Sequence, residues 1–132
     1  MAINILIVED SSVMRAMIQK AMQLSGLEIG VIHQASNGRE GLDALERHRI
    51  DVIIADINMP VMSGEEMIEQ MLGRSELQAV PIIVVSTAGS RARIERLQRK
   101  GLRFISKPFS PEMIRDAVKD VLRSEVLDEP SR

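Results

Sequence analysis

Side chains that could bind a metal ion or transfer a phosphoryl group directly follow short apolar runs in this sequence. They are Glu9 and Asp10, then Asp56, then Ser86 and Thr87, and finally Lys107. Carboxylates that lie together raise one another's pKa unless a cation lies among them. Because the chain has no cysteine and no cluster of histidines, the oxygen ligands favour Mg²⁺ over zinc as that cation.

Beside Mg²⁺ and a lysine, a carboxylate can act as a nucleophile toward phosphorus and form an aspartyl phosphate. The metal ion and the ammonium group neutralise the phosphoryl oxygens, which is most of what phosphoryl transfer requires. The hydroxyl group of Ser86 or Thr87, at the end of the fourth apolar run, could then hydrogen-bond the phosphate.

Each of these residues also has a purely structural interpretation. Asp10 or Ser11 could cap the helix that follows. Asp56 could begin a turn in Asp-Ile-Asn-Met-Pro, and Lys107 could be a solvated loop charge. These interpretations weaken when the residues are taken together, because a cluster of carboxylates needs a compensating cation.

Five β-branched runs predict the strands that position these residues. The runs are Ile3 to Val8, Val31 to Ala35, Val52 to Ala55, Ile82 to Val85 and Leu102 to Ile105. Three of them are nearly continuous apolar runs, which is typical of strands buried on both faces of a parallel sheet. In such sheets, ligands bind at the carboxyl ends of the strands. Only the second strand delivers nothing obviously reactive to that edge.

Segments between the strands show the spacing of amphipathic helices. The three clear apolar stripes are Met14, Met17, Ile18 and Ala21; Met67, Ile68, Met71 and Leu72; and Ile114, Ala117, Val118 and Val121. Shorter helices are predicted over residues 39–48 and 91–100. The five alternations of strand and helix predict an α/β fold, in which a five-stranded parallel sheet is doubly wound by five helices.

The composition is that of one globular domain. The chain has 132 residues, 45% of them apolar and 27% charged, with a net charge of −2. That charge argues against nucleic-acid binding, as does the presence of two Phe and no Tyr or Trp for stacking bases. Membrane spans and secretory signals are absent from the pattern. We therefore predict a cytoplasmic protein that binds neither membranes nor nucleic acid.

Four motifs in order make the chain resemble the receiver domains of bacterial two-component response regulators, the CheY-like family. They are ILIVEDSSVMR, DVIIADINMPVMSG, PIIVVSTA and FISKPF. The resemblance covers about residues 3–123, and we assign residues 1–124 to a receiver domain and residues 125–132 to a short tail. It implies the flavodoxin-like strand order 2-1-3-4-5.

The resemblance also implies a role for each site residue. Asp56 would accept the phosphoryl group, and Mg²⁺ would be held by Glu9, Asp10, Asp56 and the backbone carbonyl of Asn58. Lys107 would contact the phosphoryl group, and its bond to Pro108 would be cis, as proline allows.

The switch residues follow from the same resemblance. Ser86, by its spacing from Gly101, matches the hydroxyl that is drawn to the phosphate, and Thr87 is its neighbour. Phe104 matches the aromatic residue that then turns inward, although it could equally be a plain core residue. Two features depart from the family pattern: Phe104 replaces a common tyrosine, and the stretch from Gly101 to Phe104 is one residue short.

As a receiver, the chain would take its phosphoryl group from a sensor histidine kinase or a phosphotransfer protein. It would signal by binding a downstream target, such as the flagellar switch or another effector, through the face of helix 4, strand 5 and helix 5. The run Asp-Ser-Ser-Val-Met-Arg suggests a chemotaxis-type member. It would not be an enzyme, apart from catalysing its own phosphorylation and dephosphorylation.

Other hypotheses stay open. The chain could be a receiver excised from a larger regulator, a phosphorelay intermediate, or a pseudo-receiver that binds partners constitutively. A hydrolase of the aspartyl-phosphate type would need an acid where Asn58 stands. A flavin-binding protein of similar topology would need aromatic residues and a phosphate loop that the chain lacks.

Three surface features have both a functional and a structural interpretation. Residues 91–103 carry six basic side chains and one acidic one, a net charge of +5, which could steer an acidic partner or could simply be solvated. The methionine-rich stripes could bind a partner, but core packing is the commoner use. Neither His33 nor His48 is expected to be phosphorylated, and His48, between two arginines, is predicted to lie at the surface.

Overall fold

The computed structural model describes residues 2–56, 64–75, 77, 79–86, 91–99 and 102–127. Five strands alternate with five helices in these residues. They are β1 (Ile3–Val8), α1 (Ser12–Leu24), β2 (Ile29–Ala35), α2 (Gly38–Arg47), β3 (Val52–Ala55), α3 (Gly64–Leu72), β4 (Ile82–Ser86), α4 (Arg91–Arg99), β5 (Arg103–Ser106) and α5 (Pro111–Leu127). Every neighbouring pair of strands is parallel, in the order β2-β1-β3-β4-β5, which confirms the predicted fold and strand order.

The two interior strands that flank the predicted acidic site, β1 and β3, have the predicted bounds, and the edge strands do not. β2 begins at Ile29 rather than Val31, because Ile29 already pairs with Ile3 of β1. β5 is shifted by one residue, to Arg103–Ser106. α5 continues to Leu127, past the predicted domain end at residue 124, so that this boundary stays a prediction.

The core consists of one apolar layer on each face of the sheet. Alternation along β1 sends Leu6 and Val8 to the layer shared with α2 and α3, and Ile5 and Ile7 to the layer shared with α1 and α5. The interior strands β1, β3 and β4 are covered on both sides, as their continuous apolar sequences predict. None of the helices in the described part of the chain combines the length and apolarity needed to cross a membrane.

The predicted helical stripes are largely confirmed, with two corrections. Met17 of α1 is 52% exposed and Leu72 of α3 is 41% exposed, so neither belongs to the core. In α1 the buried side follows Ile18, Ala21 and Met22 instead, because the face that packs on the sheet is rotated away from Met17. In α3, Met67 and its stripe neighbours Ile68 and Met71 are buried as predicted, and so is the stripe of α5 up to Val118.

His33 and His48 form a stacked pair that the sequence did not suggest. The rings lie with their centroids 4.0 Å apart and their planes 16° from parallel, joining β2 to the end of α2. His48 is exposed, as predicted, and His33 is half-buried. Burial, together with the charge of His48, lowers the pKa of His33 below its ordinary value of 6.5.

We expect this pair to make stability depend on pH. Because the pKa of His33 is lowered in the folded state, its contribution to stability is present above the ordinary pKa and is lost as the pH falls. Urea unfolding at about pH 7.5 and about pH 5.5 should show a smaller acid-induced loss in His33→Gln than in the unsubstituted protein. Equal losses in the two proteins would contradict this account.

Gly41 lies in α2 where the helix approaches β1 and α3. A Cβ atom at this position would lie 2.8 Å from Sδ of Met67 and 3.1 Å from Cγ2 of Val8. Gly41→Ala should therefore lower the free energy of unfolding by about 1–3 kcal/mol, the usual cost of overpacking, although alanine is the better helix former. Urea unfolding measures the change, and Asp43→Ala, at an exposed position of the same helix, is the control. A stabilised Gly41→Ala variant would refute the tight packing.

Candidate functional site

Three carboxylates meet at the carboxyl edge of β1 and β3. Glu9, Asp10 and Asp56 each offer one oxygen atom, and these oxygens all lie within 4.8 Å of one another. Glu9 is 1% exposed and Asp56 is 7% exposed, while Asp10 is exposed. The structure therefore brings together the three acids that the sequence analysis selected.

Hydrogen bonds of the sheet continue past the strand ends and fix the two buried acids. The backbone N–H of Asp56 donates to the carbonyl of Val8 at 2.9 Å, and that of Glu9 donates to the carbonyl of Ala35 at 2.9 Å. Each acid thus lies one residue beyond its strand but is still held by the neighbouring strand. The short strand β3 is fully buried, so the backbone that leads into Asp56 is held rigidly by its packing.

The loop between β1 and α1 is fixed by a helix cap. Oγ of Ser11 accepts a hydrogen bond from the backbone N–H of Met14 at 3.1 Å, which makes Ser11 the N-cap of α1. The backbone N–H of Ser11 in turn donates to Oε2 of Glu9 at 3.1 Å. Of the two caps considered from the sequence, Ser11 is therefore the one used.

Lys107 reaches the acidic cluster from the end of β5. Its Nζ lies 3.1 Å from Oε1 of Glu9 and 3.7 Å from Oδ2 of Asp56, and its side chain is 16% exposed. The peptide bond between Lys107 and Pro108 is cis, as the resemblance implied. The solvated-loop interpretation of Lys107 is therefore wrong, because the ammonium group is largely buried between two carboxylates.

The electrostatics of the cluster call for more positive charge than Lys107 provides. The pKa of Glu9 is raised above its ordinary value of 4.5, chiefly by burial and then by a hydrogen bond with Asp10. The N–H of Ser11 and the ammonium group of Lys107 lower it, and the charge of Asp56 raises it further. Three acids against one lysine favour a bound cation, and clustered carboxylate oxygens suit a hard ion such as Mg²⁺. The residues present fit a magnesium site.

Part of the predicted site lies outside the described residues. Asn58, whose carbonyl was expected to complete the metal site, and Thr87 are among these. The backbone of Ser86 ends β4 and pairs with Ser106 of β5, but its side chain is also outside the described part. The roles of these residues stay predictions.

Phe104, the predicted switch aromatic, lies on the edge strand β5, and its switch role stays a prediction. It lies in β5 opposite Val84, is half-buried, and packs against the core layer on the α2 and α3 side. These contacts confirm its structural interpretation as part of the core. Gly101, at the start of the stretch that is one residue short, lies outside the described residues.

The basic segment of residues 91–103 is partly engaged in ion pairs. Arg99 lies 3.9 Å from Glu95 within α4, and Arg103 lies 3.5 Å from Asp120 of α5. Such exposed pairs contribute little to stability. The side chains of Arg91 and Arg93, and the whole of Lys100, lie outside the described residues.

One residue of the site was missed by the sequence analysis. Arg15 of α1 donates from Nη1 to the backbone carbonyl oxygens of Glu9 at 2.7 Å and Asp10 at 3.4 Å, and from Nε to Oε1 of Gln34 at 3.2 Å. The second strand, which was predicted to deliver no reactive group, contributes the side-chain amide of Gln34 as a hydrogen-bond partner of Arg15. An arginine in the first turns of the helix after the acids was the only signal in the sequence.

Comparisons with known proteins agree with this geometry. The family model for the response regulator receiver domain matches residues 5–119. A chemotaxis protein CheY homolog of Campylobacter jejuni is 32% identical over 121 residues, which are 90% of this chain and 92% of that protein. A protein-glutamate methylesterase/protein-glutamine glutaminase of Bacillus licheniformis is 36% identical over 128 residues, which are 95% of this chain but 35% of that protein.

The fold comparison points the same way. The crystal structure of the Vibrio cholerae chemotaxis protein CheY4 superimposes with a TM-score of 0.80 at 31% identity, over 92% of this chain and 99% of that chain. With the family model spanning most of the chain and with relatives at this level of identity, the chain belongs to the CheY-like response regulator receiver domain family.

Proposed function

We propose that this receiver accepts a phosphoryl group on Asp56 from a phosphohistidine of a sensor kinase or phosphotransfer protein, in a reaction that requires Mg²⁺. The observation that carries the proposal is the convergence of Asp56 with Glu9 and Asp10 within 4.8 Å and with Nζ of Lys107 at 3.7 Å. Receiver domains of this family act in signalling, and a cytoplasmic location is part of the proposal.

In the proposed reaction, an oxygen of the Asp56 carboxylate forms a bond to phosphorus as the bond from phosphorus to the donor imidazole nitrogen breaks. The electron pair of that bond stays on the nitrogen. Glu9, Asp10 and Asp56, with the carbonyl of Asn58, would hold Mg²⁺, which supplies charge neutralisation for the phosphoryl oxygens. Lys107 is already within 3.7 Å of Asp56 and would bind one of those oxygens directly.

Turnover would be limited to the chain's own phosphate. Water attacks phosphorus, the bond to Asp56 breaks, and free phosphate leaves with the carboxylate restored. We propose no other enzymatic activity. Ser86, with Thr87 beside it, would donate a hydrogen bond to the phosphate, and Phe104 would respond by turning inward, so that α4, β5 and α5 present an altered face to a downstream target.

The relatives support two contexts for this module. The CheY homolog, of which the match covers 92%, supports a chemotaxis-type receiver that binds an effector such as the flagellar switch. The methylesterase relative, of which the match covers 35%, supports the alternative that a receiver of this kind controls an attached domain. The complete set of Glu9, Asp10, Asp56 and Lys107 argues against a pseudo-receiver.

Mg²⁺ should stabilise the folded protein by relieving repulsion among the three acids. At about one hundred times its dissociation constant, the free energy of unfolding should rise by about 2.7 kcal/mol. Urea unfolding with and without Mg²⁺ measures the gain. Asp10→Asn should lose most of it, whereas Asp43→Asn, at an exposed position of α2, should keep it. Equal gains in the two variants would mean that Mg²⁺ binds elsewhere.

Incubation with acetyl phosphate should add one phosphoryl group to the intact protein. We expect the addition to require Mg²⁺ and to disappear in Asp56→Asn, because the carboxylate oxygen is the nucleophile. Lys107→Ala should slow it by about 10²-fold or more, the usual effect of removing one group that stabilises developing charge. Intact-mass spectrometry over time measures both.

Three outcomes separate the hypotheses. Labelling that survives Asp56→Asn would identify a different nucleophile and overturn the assignment. A lack of labelling despite intact Mg²⁺ binding would exclude small donors, and a phosphohistidine protein would then be the donor to test. A lack of labelling from both donors would establish a pseudo-receiver.

A further inference from the structure

We propose that Arg15 is a positioning residue of the acidic pocket, whose guanidinium fixes the backbone that carries Glu9 and Asp10 for Mg²⁺ binding. This inference rests on the proposed function, because it assigns a task to a residue outside the ligand set. Arg15 touches neither the carboxylate of Glu9 nor that of Asp10 in its described contacts, which are with their backbone oxygens.

The contacts of Arg15 converge on the loop between β1 and α1. Its Nη1 donates to the carbonyl of Glu9 at 2.7 Å and, more weakly, to that of Asp10 at 3.4 Å. Its own backbone N–H donates to the carbonyl of Ser11 at 2.9 Å. The loop is therefore tied to α1 by a charged hydrogen bond as well as by the helix cap at Ser11.

Asp10 is the acid that needs this support most. Glu9 is buried and its backbone N–H is held by β2, so packing restrains it. Asp10 is exposed, and an exposed acid in a loop has little packing to restrain it. A ligand held in place before the metal arrives binds more tightly, because less conformational entropy is lost on binding.

The guanidinium is itself held from a second strand. Nε of Arg15 donates to Oε1 of Gln34 in β2 at 3.2 Å, and Nε2 of Gln34 donates to Oε1 of Gln19, one turn further along α1. Gln34 pairs with Ile7 in the sheet, so its backbone is rigid. The rigid planar fork of a guanidinium can reach Gln34 and the two carbonyls together, whereas a lysine ammonium cannot reproduce this geometry.

Arg15 should affect the affinity for Mg²⁺ in two opposite ways. The direction in which a substitution of Arg15 changes that affinity therefore tests the proposal. The positive charge of Arg15 repels a cation, so charge alone would make Arg15→Gln bind Mg²⁺ more tightly. Loss of the hydrogen bonds from Arg15 to the carbonyls of Glu9 and Asp10 would make the same variant bind Mg²⁺ more weakly. We infer that the loss of these hydrogen bonds has the larger effect. They act directly on the backbone of two ligands, whereas the charge of Arg15 is partly solvated.

The experiment is a calorimetric titration of Mg²⁺ into the full chain and its variants. Arg15→Gln should weaken binding by about tenfold, equivalent to about 1.4 kcal/mol, and Arg15→Lys should fall between it and the unsubstituted protein. Lys20→Gln removes the same charge from an exposed position of α1 and should leave the affinity unchanged within about twofold.

A second variant and a second measurement distinguish a loss of positioning from a loss of global stability. Gln34→Leu, at an exposed position, removes the hydrogen bond that Gln34 accepts from Arg15 without changing any charge. It should weaken Mg²⁺ binding, but less than Arg15→Gln does. In the protein without added metal, NMR relaxation of the backbone amides of residues 9–11 should show increased motion in Arg15→Gln, a change that loss of global stability alone would not confine to this loop.

The outcomes are decisive in each direction. Unchanged or tighter Mg²⁺ binding by Arg15→Gln, or unchanged motion of residues 9–11, would overturn the positioning role. Absence of Mg²⁺ binding by the unsubstituted protein would instead overturn the proposed function, and the amide relaxation would then still decide whether Arg15 orders the loop.

Discussion

The structure depends on the cost of holding two carboxylates, Glu9 and Asp56, almost out of contact with water beside a third. Isolated charges cannot be buried without compensation, and the compensation here is specific. Lys107 contacts both buried acids, and the pKa of Glu9 is still raised by burial and by its acidic neighbours. The described acids of this edge therefore outnumber the lysine between them, a charge excess that a bound cation would offset. The fold supplies the rigidity that keeps the acids together.

The strand order provides that rigidity. β1 and β3 are adjacent at the centre of the sheet although β2 lies between them in the chain, and this reversal of direction opens the crevice in which ligands of such sheets bind. Both strands are covered by apolar layers on each face, so the acids that follow them cannot move apart without disrupting the core. β5 lies two strands away from β3, and a long lysine side chain crosses that gap.

The interior strands could be predicted closely from the sequence because their apolar runs are continuous, and β4 differs only by ending one residue later than predicted, at Ser86. β1 and β3 were predicted to the residue, and with them the positions of Glu9 and Asp56. The start of the edge strand β2 was not, because Ile29 stands between Glu28 and Gly30 and so is separated from the apolar run that begins at Val31. Met17 was misplaced for a related reason: a methionine at helical spacing can lie on either side of the boundary between core and surface, and only the packing of α1 decides.

Contacts between side chains and backbone are what the sequence could not show. A pattern of residue types identifies groups that can react, and it identified the acids and Lys107. It did not identify Arg15, whose partners are backbone carbonyls, or the stacking of His33 on His48. Nor did it show that Lys107 lies closer to Glu9 than to Asp56. In the proposed reaction, a cation that offsets the charge of Glu9 would leave Lys107 more available to Asp56. Metal binding and the reactivity of Asp56 would then be coupled through one ammonium group.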